Sequence, residues 1–405
     1  MNITIITSTF PYPLKSGGAQ AQYNFIDSLR HQHHISIICP ENGKNTRAAC
    51  SALSLLWPDV KLHLYSYPAQ LTHFPFLWDK MVRATKLKIK ADNERFRVER
   101  ALKPYGYDLS KRFLAFVNKH IREHNTDLIE VDFYPYLSIV NYLPKDIKHV
   151  FVQHEIRYVR NQRLLAPLQL TTTEQQYFEF LKQQELENLN KYDHVITLTD
   201  TDKRIMQEDG VTTPISVSPA AVNSPLLPFE GWNGKLTFIG GYNHIPNQEG
   251  IEWFLEKVLP LLQQDSIKGI EVVGSGWPQH YSSIHPKVHF TGFADNLAKA
   301  VHGSLLIVPI LTGSGMRMKI LDAAAMGVPF VTTSVGVEGL MFKDGESCVI
   351  ADTPNTFAQA INMLVANTEK MGTLAANAQQ IFKQHYSIKV LAKVRNTIYQ
   401  SIKNS

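Results

Sequence analysis

Short β-rich runs alternate with helix-patterned stretches along most of this chain, and that alternation limits the fold more than anything else in the sequence. Strands separated by helical crossovers pair in parallel, so repeated alternation predicts α/β architecture with parallel sheets. In the first half the strand candidates are Ile3–Thr7, Ile35–Cys39, Val60–Tyr65, Leu128–Asp132, His149–Gln153 and His194–Thr199. The second half supplies Leu236–Ile239, Ile270–Val273, Val288–Thr291, Leu305–Val308, Phe330–Thr333 and Cys348–Ile350. Helical patterns fit Ala19–Arg30, Thr173–Asn190, Glu249–Leu262, Asn296–Val301, Arg317–Met326, Thr356–Ala366, Met371–His385 and Lys389–Ile402. The segment Ser218–Gly234 holds Pro219, Pro225, Pro228 and Gly231, has weak periodicity, and reads as a linker.

The 405 residues are too many for one ordinary domain, whereas two domains of about 200 residues each fit the usual size range. The expected division is 1–220, 221–385, and a final helical piece 386–405. The net charge of +5 is modest and no nucleic-acid-binding module is visible, so nucleic acid is not an expected partner. Cys39, Cys50 and Cys348 are few, odd in number and without metal-ligand spacing, as in a reduced cytosolic protein. Met1–Thr7 reads as a strand and not a signal peptide, and no apolar window is long enough to span a membrane. The expected location is therefore the cytoplasm.

One part of the sequence concentrates positive charge beside aromatic residues. Lys80–Arg112 holds eleven basic and four acidic residues, a net charge of +7, and follows the aromatic stretch Tyr65–Trp78. It reads either as a solvated helix face or as a surface that holds the protein against an anionic membrane.

The chemistry concentrates in Thr312–Thr333. Gly313 and Gly315 allow a tight turn and close approach to a ligand, and a helix follows. A loop feeding a helix N-terminus offers free backbone N–H groups and the positive dipole end, which bind anions. Arg317 and Lys319 add two charges, and Asp322 places a carboxylate one turn beyond Lys319. Phosphate donors plus a hydroxyl-binding carboxylate suit a nucleotide-diphosphate sugar. In the first half, Gly17-Gly18 sits at a strand-to-helix junction, where bare N–H groups can meet a diphosphate. No G-x-G-x-x-G or matching ribose-binding acid is present, which disfavours a dinucleotide dehydrogenase. Asp200-Thr201-Asp202 lies where a helix starts and reads as capping, not as a metal-binding pair.

The Thr312–Thr333 segment resembles the donor-site signature of GT-B glycosyltransferases, in the large retaining family 4. The likeness runs strongly from Phe238 to about Ala366 and more weakly over the first 220 residues. Phe238–Asn247, Val272–Trp277 and Phe290–Asp295 match family loops in order and spacing. The resemblance implies two Rossmann-like doubly wound domains facing a central cleft, with the acceptor on the first domain and the nucleotide sugar on the second. It implies a retaining, front-face transfer to a glycan or lipid-linked acceptor in surface polysaccharide biosynthesis, with no metal or other cofactor. By resemblance, His154 approaches the donor sugar, and Arg317 and Lys319 stabilise the leaving diphosphate. Gly17, Gly18, Gly240, Gly241, Asn247, Gly274, Phe293, Ser314, Gly315, Met316 and Asp322 are the expected donor-binding residues.

The chain departs from the family at four of these positions. Gly241 and Asn247 stand where many members carry Arg and Lys, and Ser314 and Asp322 stand where the signature has two Glu residues. In the branch with a Pro-Asn loop the positive charge moves to the later helix, where Arg317 and Lys319 lie. A nucleotide-sugar epimerase sharing the fold and a non-catalytic binding protein remain as alternatives.

Overall fold

A computed structural model describes residues 1–14, 16–42, 45–67, 94–103, 109–283 and 285–404. Most of the basic stretch Lys80–Arg112 (80–93 and 104–108) lies outside the described residues. The chain divides into two compact units, Met1–Ser218 with Ala392–Ser405, and Pro219–Leu391.

The first unit is built on seven parallel strands: β1 (Asn2–Thr7), β2 (His34–Pro40), β3 (Lys61–Tyr65), β4 (Leu128–Asp132), β5 (Lys148–Gln153), β6 (His194–Thr197) and β7 (Ile215–Val217). Their order is β3-β2-β1-β4-β5-β6-β7, with Ile3 opposite Leu128 and Thr7 opposite Asp132 where β1 meets β4. Helices cover both faces, so the central strands are apolar on both sides. Ile5, Ile37, Val150 and Ile196 feed one core layer, and Ile6, Ile38, Val131 and Phe151 feed the other.

The last helix, Ile388–Lys403, adds Ala392, Ile398, Tyr399 and Ile402 to the first of these layers. It also brings a cation inside. Arg395 is 2 % exposed, lies 3.4 Å from Glu130 Oε2 and donates to Ser218 Oγ at 3.0 Å. The Tyr399 hydroxyl donates to the same Glu130 carboxylate.

The second unit holds six parallel strands: β8 (Lys235–Ile239), β9 (Gly269–Val273), β10 (Val288–Gly292), β11 (Leu305–Val308), β12 (Phe330–Thr332) and β13 (Val349–Ile350). Their order is β10-β9-β8-β11-β12-β13, around a single core that includes Phe238, Phe254, Leu306, Phe330 and Phe357. In each sheet, successive crossovers run to opposite sides of the first strand. That creates a topological switch point, between β1 and β4 in one unit and between β8 and β11 in the other.

All twelve expected strands are present; β7, three residues long, is additional. The expected helix Glu249–Leu262 begins earlier, at Ile245 with Pro246 in its first turn, and runs to Trp253. It then loosens into a π turn, Phe254–Val258, and a 3₁₀ turn, Leu259–Leu261. Pro260 has no N–H to continue an α-helix. Helices Arg47–Leu56 and Lys111–Glu123 were not anticipated. Thr199 caps helix Asp200–Glu208 by accepting from the Asp202 N–H, which gives Asp200-Thr201-Asp202 its structural role. No helix among the described residues is long and apolar enough to cross a membrane.

Arg395→Met would leave Glu130 buried without its cation, a defect that typically costs about 3–5 kcal/mol. Burial, with Asp132 nearby, already pushes the Glu130 carboxyl up to about 7. Its contribution to stability is therefore fully present below its unfolded value and is lost as pH rises through about 7. Thermal melts should show a lower midpoint for Arg395→Met, with a larger deficit at pH 8 than at pH 5.

Candidate functional site

Ligands of open parallel sheets bind outside the carboxyl ends of the strands at the switch point. In the second unit that place is formed by the segments that follow β8 and β11. After β8 the chain runs through Gly240 and Gly241 into helix Ile245–Trp253; after β11 it runs through Pro309–Arg317 into helix Met318–Ala325. The two segments touch closely: a Cβ on Gly250 would lie 2.3 Å from the Pro309 carbonyl oxygen. The loop after β9 packs on the loop after β8 just as tightly. A Cβ on Gly274 would lie 2.3 Å from the Gly240 oxygen, and one on Gly241 would lie 3.0 Å from the Ser275 oxygen.

Polar bridges span this switch point: the Thr312 hydroxyl donates to the Glu249 carboxylate, and Lys319 reaches Asn247. The Lys319 ammonium donates to Asn247 Oδ1 at 2.9 Å, while Asn247 Nδ2 donates to the Gly241 carbonyl at 2.9 Å. Lys319 also lies 4.1 Å above the Phe238 ring, a cation–π contact at the end of β8. Burial, reinforced by the neighbouring Arg317, pushes the Lys319 ammonium down to about 7. The glycine-rich loop wraps around Arg317. Gly313 and Gly315 take positive φ (105° and 79°), and the Arg317 guanidinium donates to the Gly315 carbonyl. Two cations, glycine backbone and a helix N-terminus thus gather at one place, an arrangement suited to a polyanion.

Arg317 occupies the cap position and the helix starts at Met318, one residue later than expected. Asp322 and Lys319, expected on much the same face, have different partners. The Asp322 carboxylate is 4 % exposed and accepts from Ser224 Oγ at 2.7 Å; burial pushes it up to about 6. Ser314 and Met316 lie partly exposed in the glycine-rich loop. Phe293 stands apart, 54 % exposed after β10, which is two strands from β8.

The first unit carries a second constellation, at its own switch point. Asp132 ends β4, is 3 % exposed, and accepts from Gln22 Nε2 at 2.5 Å and from His154 Nε2 at 3.1 Å. His154, just past β5, stacks on Phe133 with ring centroids 4.1 Å apart. Phe133 takes an unusual positive φ of 68°, and its ring lies 3.1 Å from where a Cβ on Gly18 would be. A side chain at 18 would crowd that ring, and Gly17-Gly18 opens the helix Gly17–Leu29 there, capped by Ser16. The sequence reading missed Asp132, Phe133 and Gln22. The available signal was position: Asp132 ends the strand that pairs with β1.

Arg157 and Arg160 lie in the first turn of helix Arg157–Leu165 and are both held by the protein. Arg157 is 3 % exposed and donates to the Lys103 carbonyl at 2.5 Å, and Arg160 pairs with Glu155 at 2.7 Å. The Tyr134 ring lies against both guanidinium groups.

Solved structures superpose on the whole chain. TarM from S. aureus, in complex with fondaparinux, alpha-GlcNAc-glycerol and UDP, aligns with a TM-score of 0.69 at 11% identity over 100% of both chains. Sucrose-phosphate synthase from Thermosynechococcus elongatus aligns with a TM-score of 0.70 at 14% identity, over 99% of this chain and 98% of that one. The fold is GT-B. Within this GT-B chain, residues 233–367 match the family model for glycosyl transferases group 1, which covers Gly240 through Asp322. An uncharacterized 44.6 kDa protein in the cps region of Klebsiella pneumoniae is 22% identical over 98% of this chain and 99% of its own length. The putative glycosyltransferase YtcC of Bacillus subtilis (strain 168) is 31% identical over 84 residues, 20% of this chain and 21% of its own.

The bridge at the GT-B second domain makes a stability prediction. Folding depresses the Lys319 pKa, so its contribution is fully present above the unfolded value and is lost as pH falls through about 7. Lys319→Met removes that liability. The variant should melt at a higher temperature than the parent, by a larger margin at pH 6 than at pH 9, as read by thermal denaturation.

Proposed function

We propose that this chain is a nucleotide-sugar-dependent glycosyltransferase. It transfers sugar from a nucleotide-diphosphate sugar to a glycan or lipid-linked acceptor in surface polysaccharide biosynthesis, retaining the anomeric configuration. The observation that carries the reading is the Lys319–Asn247 bridge across the second switch point, with Arg317 and the Gly313–Gly315 loop beside it. It supports a site where the cations absent at positions 241 and 247 are supplied from the later helix. The glycosyl transferases group 1 match spans the same residues, and the Klebsiella relative from a cps region supports surface polysaccharide as the setting. Anabaena HepE, solved with UDP and glucose, and TarM, solved with UDP, support a nucleoside diphosphate as the leaving group.

In this reading the diphosphate lies along the glycine-rich loop and the first turn of helix Met318–Ala325. Arg317 and Lys319 neutralise the charge that builds as the bond from anomeric carbon to phosphate oxygen breaks. Asp322, already accepting from Ser224, meets the ribose hydroxyls. His154 serves the donor sugar and acceptor from the first domain. A neutral ring that donates its Nε2–H to Asp132 has its lone pair on Nδ1, and stacking on Phe133 fixes its orientation. The acceptor oxygen attacks on the face from which phosphate leaves, and its proton passes to the departing phosphate. The transfer takes place at the cytoplasmic side of the membrane.

A thermal-shift panel of UDP, GDP, ADP, dTDP and CDP with their sugar conjugates tests this. At about 100 times its dissociation constant the correct ligand stabilises by about 2.7 kcal/mol. One base should give the shift, and Arg317→Ala should abolish it. His154→Ala should keep the shift yet slow release of nucleoside diphosphate from the donor by about 100-fold or more. No shift with any nucleotide would overturn the reading, and acceptor-independent interconversion of the donor would mark an epimerase instead.

A further inference from the structure

At the edge of the seven-stranded sheet, away from the β1/β4 switch point, three histidines meet. β3 is an edge strand whose residues Lys61, His63 and Tyr65 alternate onto one face. Helix Lys111–Glu123 matches that face residue for residue. Tyr65 meets Phe113 and Phe116, each with ring centroids 5.2 Å away. His63 stacks on His120 at 4.0 Å, and its Nε2 lies 2.9 Å from His124 Nε2. One ligand atom from each of the three imidazoles lies within 4.8 Å of the others. Zinc–nitrogen bonds of about 2.0–2.1 Å in a tetrahedron set ligand atoms about 3.4 Å apart, so small ring rotations make the three converge.

The surroundings suit coordination. His120 Nδ1 is buried and lies 3.3 Å from the Glu123 carboxylate. Nδ1 makes no hydrogen bond among the described residues; a ring rotation that lets it donate to Glu123 leaves the lone pair on Nε2, the arrangement in which a carboxylate orients a metal-bound histidine. Lys61 Nζ lies 3.3 Å from His124 Nδ1 and is on the exposed first residue of β3. Coordination through His124 Nε2 places the proton on Nδ1, and the ammonium turns out to solvent.

We propose that His63, His120 and His124 bind one divalent transition-metal ion, with water in the fourth position, bracing the edge strand β3 against helix Lys111–Glu123. Imidazole donors suit zinc, copper and nickel, and zinc is the reference ion. The sequence reading found no metal-ligand spacing. The pair His120/His124 is one helical turn apart, but the third ligand comes from a strand 57 residues earlier than His120. The proposed site is independent of the donor reading above.

The test is zinc titration of the full chain, with any affinity tag removed and after chelator treatment, followed by calorimetry and by thermal melting. Cobalt(II) serves as a spectroscopic probe. We expect one equivalent bound, a raised melting temperature and the visible absorption of a four-coordinate cobalt site. His63→Gln and His124→Gln should each weaken binding at least about tenfold, and Glu123→Gln by about 10–100-fold. His34→Gln, on an exposed residue outside the cluster, should bind as the parent does. Absence of saturable binding by the parent chain, a test that needs no variant to fold, would overturn the proposal. So would unchanged binding in both His63→Gln and His124→Gln.

Discussion

An ammonium held against a neutral amide ties together the two segments that form the second domain's switch point. Lys319 comes from the helix after β11 and Asn247 from the helix after β8, so their contact closes the switch point with a group that is costly to bury. A cation with a depressed pKa and a second cation beside it would be poor choices for stability alone. They are sensible where a polyanion is to arrive and restore the favourable charge. The glycines serve the same end by another route. Gly240, Gly241, Gly250 and Gly274 let three loop or helix starts approach closely, which brings the Asn247 and Lys319 segments to one place.

The first domain solves a different problem at its own switch point. His154 is oriented rather than buried: Asp132 fixes one ring nitrogen and Phe133 fixes the plane. Two residues before Asp132 on the same strand, Glu130 anchors Arg395 and Tyr399 of the C-terminal helix. The strand that presents the carboxylate holding His154 is thereby pinned by the last helix, Ile388–Lys403. A histidine held through a buried acid needs that acid to stay still, and a buried charged network on the same strand gives it little freedom.

The alternation of strands and helices was enough to place every strand but β7, because parallel strands buried on both faces are strongly patterned. Helices such as Arg47–Leu56 and Lys111–Glu123 escaped notice although each has an apolar face, since short amphipathic stretches between strands carry weak local signals. At the site, glycines and charged residues of the later loop could be read from order and spacing. Their partnerships could not. That Lys319 reaches Asn247, that Asp322 turns to Ser224, and that Arg157 is buried against the Lys103 carbonyl depend on packing between residues 54 to 98 positions apart. The three-histidine cluster was invisible for the same reason. Only His120 and His124 are near each other in sequence, and the helix that carries His120 was not anticipated.

Proton linkage measures the central interaction directly. If Lys319 is largely neutral above pH 7 and regains its charge against a diphosphate, nucleoside diphosphate binding must take up a proton. Calorimetry at pH 8 in buffers of differing ionisation enthalpy would count it. The account predicts net uptake approaching one proton in the parent chain and none attributable to this site in Lys319→Met. Binding of equal affinity in both chains, with no proton taken up, would contradict it.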